Sequence, residues 1–194
     1  MLSTNIKEAT KVAHQNLEKQ VVLKLRAIRN NVDYADLLKH FYAYFSHIEK
    51  TIKPYITESV LPDYAQRRNS EYIKADILEL GSDISGLPYT TVPKIENTVQ
   101  ALGALYVLEG SIMGGSIIVK MLEKGGVNQG VSFFSGYGEA TGMMWGNFIA
   151  VLNAHAKTEQ EEEQAINAAN ETFKHFAYVF EKEKADTVES KVMK

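Results

Sequence analysis

Two stretches of this chain carry residue types that can do chemistry. Near the N-terminus, Lys7, Lys11, His14 and Glu18 are spaced four, three and four apart. On a helix those side chains stack along one face. A histidine one turn from a carboxylate suits metal ligation, because the acceptor fixes the ring's tautomer and raises its basicity. Two lysines one and two turns back can meet the carboxylates of a bound ligand. On the helix alone, the same four residues fit a plain solvated face. The second stretch runs from Ala101 to Lys120 and holds Gly103, Gly110, Gly114 and Gly115. Each glycine costs a helix interior about 0.8–1 kcal/mol relative to alanine. Gly103, Gly110 and Gly114 lie seven and four apart, so they share one stripe with bare backbone at its floor. Another helix can press into such a groove, or a flat ligand can.

The other candidates are thinner. The histidines are His14, His40, His47, His155 and His175, and none has a glutamate three residues before it. The Glu-x-x-His pairs of a di-iron bundle are therefore absent. His40 and His47 share a face and read as ordinary half-exposed residues. The chain has no cysteine, which excludes disulfides, thiolate metal sites and cysteine nucleophiles. Its net charge of −3, from 21 Lys+Arg and 24 Asp+Glu, gives no reason to expect nucleic acid. The N-terminus lacks a charged segment followed by an apolar core, so it does not read as a signal peptide. No apolar run reaches the roughly 18 residues that would span a bilayer, so no membrane partner is expected and a soluble cytoplasmic protein is the default.

Helices must position these residues. Ser3 or Thr4 is the expected cap of a first helix continuing through Lys7 to Leu17, with Ile6, Ala9, Ala13 and Leu17 as its apolar stripe. Asp33 is the expected cap of the next, whose core stripe is Leu38, Phe41, Phe45, Ile48 and Ile52, led by Tyr34 and stopped at Pro54. Residues 70–80 read as a short helix closed by Gly81. The glycine-striped helix spans roughly 95–124. Phe133 to Gly138 reads as a loop, 142–156 as a helix bearing Trp145, and 159–184 as the last helix. Ile166, Phe173, Phe176, Ala177 and Phe180 face inward there. Its acidic run Glu161-Glu162-Glu163 sits where the helix dipole favours negative charge. The expectation is one all-α domain over 1–194, about six to eight helices, with a loose polar tail over about 185–194.

Three segments, in this order, resemble the heme oxygenase family. Glu8-Ala-Thr-Lys-Val-Ala-His-Gln-Asn-Leu-Glu18 looks like its proximal helix. Leu105-Tyr-Val-Leu-Glu-Gly-Ser-Ile-Met-Gly-Gly115 looks like its distal helix. Phe133-Phe-Ser-Gly-Tyr-Gly-Glu-Ala-Thr-Gly-Met-Met-Trp145 resembles a segment of the bacterial branch that accompanies bacteriophytochromes. The resemblance implies a heme oxygenase-like helical bundle that opens heme to biliverdin, carbon monoxide and ferrous iron. It would use dioxygen and electrons from a donor such as a ferredoxin or a reductase. Heme would be both substrate and cofactor. By resemblance, His14 is the axial iron ligand, Glu18 its hydrogen-bond partner, and Lys7 and Lys11 approach the propionates. Gly110, Gly114 and Gly115 match the distal glycines, with Ser111 beside them.

Two positions depart from the family pattern. The mammalian enzymes carry an aspartate just after the first distal glycine, where this chain has Ser111, and many bacterial relatives also lack that acid. A basic residue expected on the helix after Trp145 is replaced by Gly146-Asn147-Phe148, with no cation before Lys157. These departures favour an alternative, a heme-binding or heme-sensing protein without turnover. Thiaminase-like enzymes share the fold, but typically use a cysteine that this chain lacks.

Overall fold

The helix that the glycines interrupt does form, and it takes the centre of the molecule. The structure is a computed structural model. It describes residues 1–192, with side chains as far as Glu181; the tail expected over 185–194 lies outside the residues so described. In chain order the helices are α1 (Leu2–Ala9), α2 (Lys11–Ala27), α3 (Asn31–Ile52), α4 (Ser70–Glu79), α5 (Thr98–Lys124), α6 (Thr141–His155) and α7 (Glu159–Val192). Among the described residues there is no strand, and the expected all-α bundle is borne out.

α5 begins where Asn97 accepts the amide of Gln100 at 2.9 Å, a few residues later than its composition suggests. Ala101 to Leu105, Val107, Leu108 and Ile112 are buried, and the helix touches α2, α3, α6 and α7. This corrects the reading that no apolar stretch reaches membrane length. α5 has 27 residues and a mean hydropathy of 1.6 in its most apolar window. Half of that window is buried inside the protein, as befits a core helix.

α3 supplies the facing wall, with Tyr34, Leu38, Phe41, Tyr44, Phe45, Ile48 and Ile52 buried. Its cap is Asn30, not Asp33: Asn30 Oδ1 accepts the amides of Val32 and Asp33 at 2.9 and 3.0 Å. The Asp33 carboxylate turns back to the Arg29 amide instead. A cluster of rings binds α3 to α7 and to the loop after α5. Phe41 meets Phe134 and Phe176 edge-on at 5.2 and 5.0 Å, and Tyr44 stacks on Phe176 at 4.7 Å. Each such pair adds about 0.5–1.5 kcal/mol beyond its burial. His40 belongs to this interior and is not half-exposed as expected. It stacks on Phe180 at 5.2 Å, and its Nδ1 lies 2.8 Å from the Asp36 carbonyl oxygen.

The N-terminal helix is two helices. Thr10 is buried, and its hydroxyl donates to the Ile6 carbonyl at 2.7 Å, the kind of backbone bond that bends helices. α2 then starts at Lys11. Neither Ser3 nor Thr4 caps α1; Ser3 instead pairs with Asn153 of α6, its amide donating to Oδ1 at 2.9 Å. From this anchor α1 and α2 run alongside α7, with Asn5 bonded to Glu162 and Gln20 to Glu181.

Candidate functional site

α2 presents His14 to solvent and steadies it from behind. The imidazole side chain is 58% exposed, and its ring stands edge-on to Phe173 of α7 at 5.5 Å. Nδ1 lies 3.9 Å from Glu18 Oε2, too far for a direct hydrogen bond but within reach of one through water. Nε2, the ring's other nitrogen, is therefore the one left for a ligand. Lys7 and Lys11 are exposed and, among the described residues, form no ion pair. The break at Thr10 divides them, placing Lys7 on α1 and Lys11 at the start of α2. The four residues thus occupy two successive helices and not one.

The glycine stripe divides by function. A methyl at Gly103 would collide with the backbone carbonyl of Ala165, so this glycine lets α5 and α7 touch main chain to main chain. Gly115 is likewise buried under the carbonyl of Phe134. Asp76 fixes that neighbouring loop: its carboxylate accepts the amides of Ser132 and Phe133 at 3.0 and 2.9 Å. Burial pushes this carboxyl up, and the hydrogen bonds pull it back down. Gly110 and Gly114 differ from both, since a methyl at either would meet no atom within 4 Å. The close-packing reading of the stripe holds at Gly103, whereas Gly110 and Gly114 face open space.

The open face is apolar beyond the glycines. Met113 and Ile117 are 42% and 65% exposed. With Gly110 and Gly114 they form the i, i+3, i+4, i+7 series of a single helix face. An exposed apolar face on a core helix calls for a covering partner. α2, which carries His14, touches α5, and both pack on α7. The described residues thus offer an exposed imidazole, two exposed lysines without an ion pair among them, and an apolar helix face opened by two glycines. Ser111 is half-buried and spends its proton within α5, donating to the Val107 carbonyl at 3.0 Å. On α6, Gly146 and Asn147 are exposed and supply no cation there.

The remaining histidines are otherwise engaged. His47 Nδ1 meets Thr90 at 2.9 Å, His155 Nδ1 lies 2.9 Å from the Val151 carbonyl oxygen, and His175 meets Thr91 at 2.7 Å. Among the described residues, no three His, Asp or Glu side chains gather as a metal site. A cavity of about 470 Å³ exists elsewhere, between α3, residues 64–71 and the flank of α5 at Leu105 and Leu108. It contains neither His14 nor the open glycines and is not the groove. Met113 and Ile117, and the packing of Phe173 against His14, escaped sequence reasoning. The first two follow from the same periodicity as the glycines, whereas the contact of Phe173 with His14 is purely tertiary.

Known proteins resemble this chain in sequence and fold. A family model described as "Heme oxygenase" matches residues 88–182. A protein named heme oxygenase from Xanthomonas campestris is 26% identical over 145 residues, covering 74% of this chain and 86% of that protein. Heme oxygenase PigA from Pseudomonas aeruginosa is 24% identical over 179 residues, covering 89% and 88%. The fold matches the crystal structure of a heme oxygenase from Neisseria meningitidis with a TM-score of 0.77 and 21% identity, over 94% of this chain and 91% of that one.

Proposed function

Because the chain belongs to the heme oxygenase family, we propose that it opens heme to biliverdin, carbon monoxide and ferrous iron. Dioxygen and a separate electron donor, a ferredoxin or a reductase, complete the reaction. The observation that carries the proposal is the open face of α5 at Gly110, Met113, Gly114 and Ile117, on a helix that touches the one bearing His14. When bound, heme supplies the oxidative chemistry, and the protein supplies ligation, orientation and electrostatics.

His14 would hold the heme iron through Nε2. Glu18, reached through water from Nδ1, selects the tautomer that leaves Nε2 unprotonated. Phe173 limits rotation of the ring about its plane. Lys7 and Lys11 attract the propionates and so set the rotation of the macrocycle in the groove. Gly110 and Gly114 admit the macrocycle close to the α5 backbone and leave room for a small molecule above it. Ser111 cannot act as an acid of ordinary strength. With its proton donated to Val107, its oxygen accepts from a water and holds that water over the groove. Gly115 sets the seat of α5 on the Phe134 loop. We propose a bacterial, cytoplasmic protein, supported by its bacterial relatives and by an α5 half of whose most apolar window is buried inside the protein.

The test is direct. Hemin is added to the protein, followed by ascorbate or a ferredoxin system in air. Biliverdin absorbance is the expected outcome. A Soret band that forms and then persists unchanged would refute turnover and leave a heme-binding protein.

A further inference from the structure

Glu109 immediately precedes Gly110, yet its side chain is 4% exposed and turns into the protein. Arg67 meets it there. Nη1 of Arg67 donates to Glu109 Oε2 at 2.6 Å, Nε and Nη2 donate to the two Asp63 oxygens at 2.7 and 2.9 Å, and Nη2 also donates to the Met144 carbonyl at 3.0 Å. The guanidinium lies 5.8 Å from the centre of the Phe148 ring, and the Arg67 side chain is 1% exposed. One planar fork therefore joins three pieces of chain: the segment after α3, α5 at its first open glycine, and the first turn of α6. Such multidentate charge-assisted bonds are the geometrically demanding ones.

The stretch it holds is the glycine-rich part of α5. Gly110, Gly114 and Gly115 fall within six residues, and two of them face open space. We propose that Arg67 and Glu109 are positioning residues for the reaction, holding α5 at Gly110 against α6 from behind and so fixing the width of the groove. This rests on the reading of that groove as the heme site. The hydrogen bond is available in either protonation state of the carboxyl. Burial lifts the Glu109 carboxyl to about 7 against the pull of Arg67, and the neutral acid still accepts from Nη1 through its carbonyl oxygen.

The test compares Glu109→Leu, which removes the acceptor, with Glu109→Gln, which keeps one. Amide hydrogen exchange is measured on the full chain, and the C–O stretch on the ferrous carbon monoxide complex. Glu109→Leu should raise exchange over 107–115 by about tenfold relative to α3, and broaden or split the C–O band. Glu109→Gln should stay within about twofold of wild type on the same exchange scale, with its C–O band unchanged. If Glu109→Leu fails to fold, Arg67→Lys, which keeps the charge but not the fork, should show the same selective loosening. The proposal is overturned if the folded variants melt earlier while the exchange pattern and band remain wild type, or if Gln behaves as Leu does. A wild-type chain that takes up no hemin would overturn the heme reading instead, and the exchange measurement would still judge the clamp.

Discussion

Two glycines on the same stripe of α5 should respond to substitution with opposite signs. Gly114 lies in a helix interior, and a methyl there meets nothing within 4 Å. Gly114→Ala should therefore recover the propensity that glycine forfeits, about 0.8–1 kcal/mol, raising Tm by roughly 2–4 °C for a chain of this size. At Gly103 the methyl would overlap the Ala165 carbonyl. The same propensity gain is then set against overpacking of about 1–3 kcal/mol, applied where neither backbone can step aside. The net is a loss of up to about 2 kcal/mol, some 4–8 °C. Activity should follow the opposite order. Gly114→Leu projects a branched side chain into the groove and should abolish biliverdin formation in a protein no less stable than wild type. Gly103→Ala should retain turnover in proportion to the folded fraction. Thermal melts and the hemin assay decide it. If Gly114→Leu makes biliverdin at the wild-type rate, or if Gly114→Ala destabilises as Gly103→Ala does, the division of the stripe is wrong.

Replacing His14 with alanine should remove the axial ligand while hemin still enters, and added imidazole should restore a histidine-like spectrum. An unchanged iron–histidine stretch in the resonance Raman spectrum of His14→Ala would name another ligand. Glu18→Gln should shift the iron's redox potential more than hemin affinity, as expected of a partner that acts through water; equal loss of both would contradict that role. Asp76→Ala strands the Ser132 and Phe133 amides, at about 1–3 kcal/mol for each unsatisfied group, and should loosen the Phe134 loop under Gly115; unchanged exchange at those two amides would refute the anchor. Glu109 supplies a pH signature. Its folded carboxyl titrates at about 7 against an ordinary 4.5, so its contribution is fully present below about 4.5 and is lost as pH rises through about 7. At 1.36 kcal/mol per unit that is up to about 3 kcal/mol. Wild type should lose stability relative to Glu109→Gln between pH 5 and 8 in urea melts, and a gain over that interval would reverse the sign.

Most helices were legible because each has a local cause. Pro54 follows the end of α3, and Gly81, at φ +77°, closes α4. The errors lie where two local causes compete. Asn30 and Asp33 both suit a cap, and they divide the work: Asn30 takes the first free amides, while Asp33 takes the Arg29 amide outside the helix. Thr158 and Glu161 form a reciprocal capping box, each accepting the other's amide, and that signal was present in the Thr-Glu-Gln-Glu order of residues 158–161. The break at Thr10 was not legible. A threonine can bond to the carbonyl four residues back in an unbroken helix too, and its burial here follows from the fold, not from the local sequence.

The glycine stripe was legible in spacing but not in depth. Periodicity placed Gly103, Gly110 and Gly114 on one stripe, and spacing alone cannot distinguish a glycine that admits a neighbouring carbonyl from one that faces a ligand. That distinction belongs to whatever crosses α5. α7 reaches it at Gly103, the Phe134 loop reaches it at Gly115, and neither reaches Gly110 or Gly114. Glu109 shows the same limit from the other side. In sequence it is one acid inside an apolar helix, where an unpaired carboxylate would be costly. Its partner, Arg67, lies 42 residues earlier, at the end of a single 3-10 turn over Tyr64–Gln66. A charge in such a helix demands a counter-charge, but only the fold names it. The fold also makes the demand useful, because the pair sits behind the first open glycine, where α5 has the fewest side chains to keep it straight.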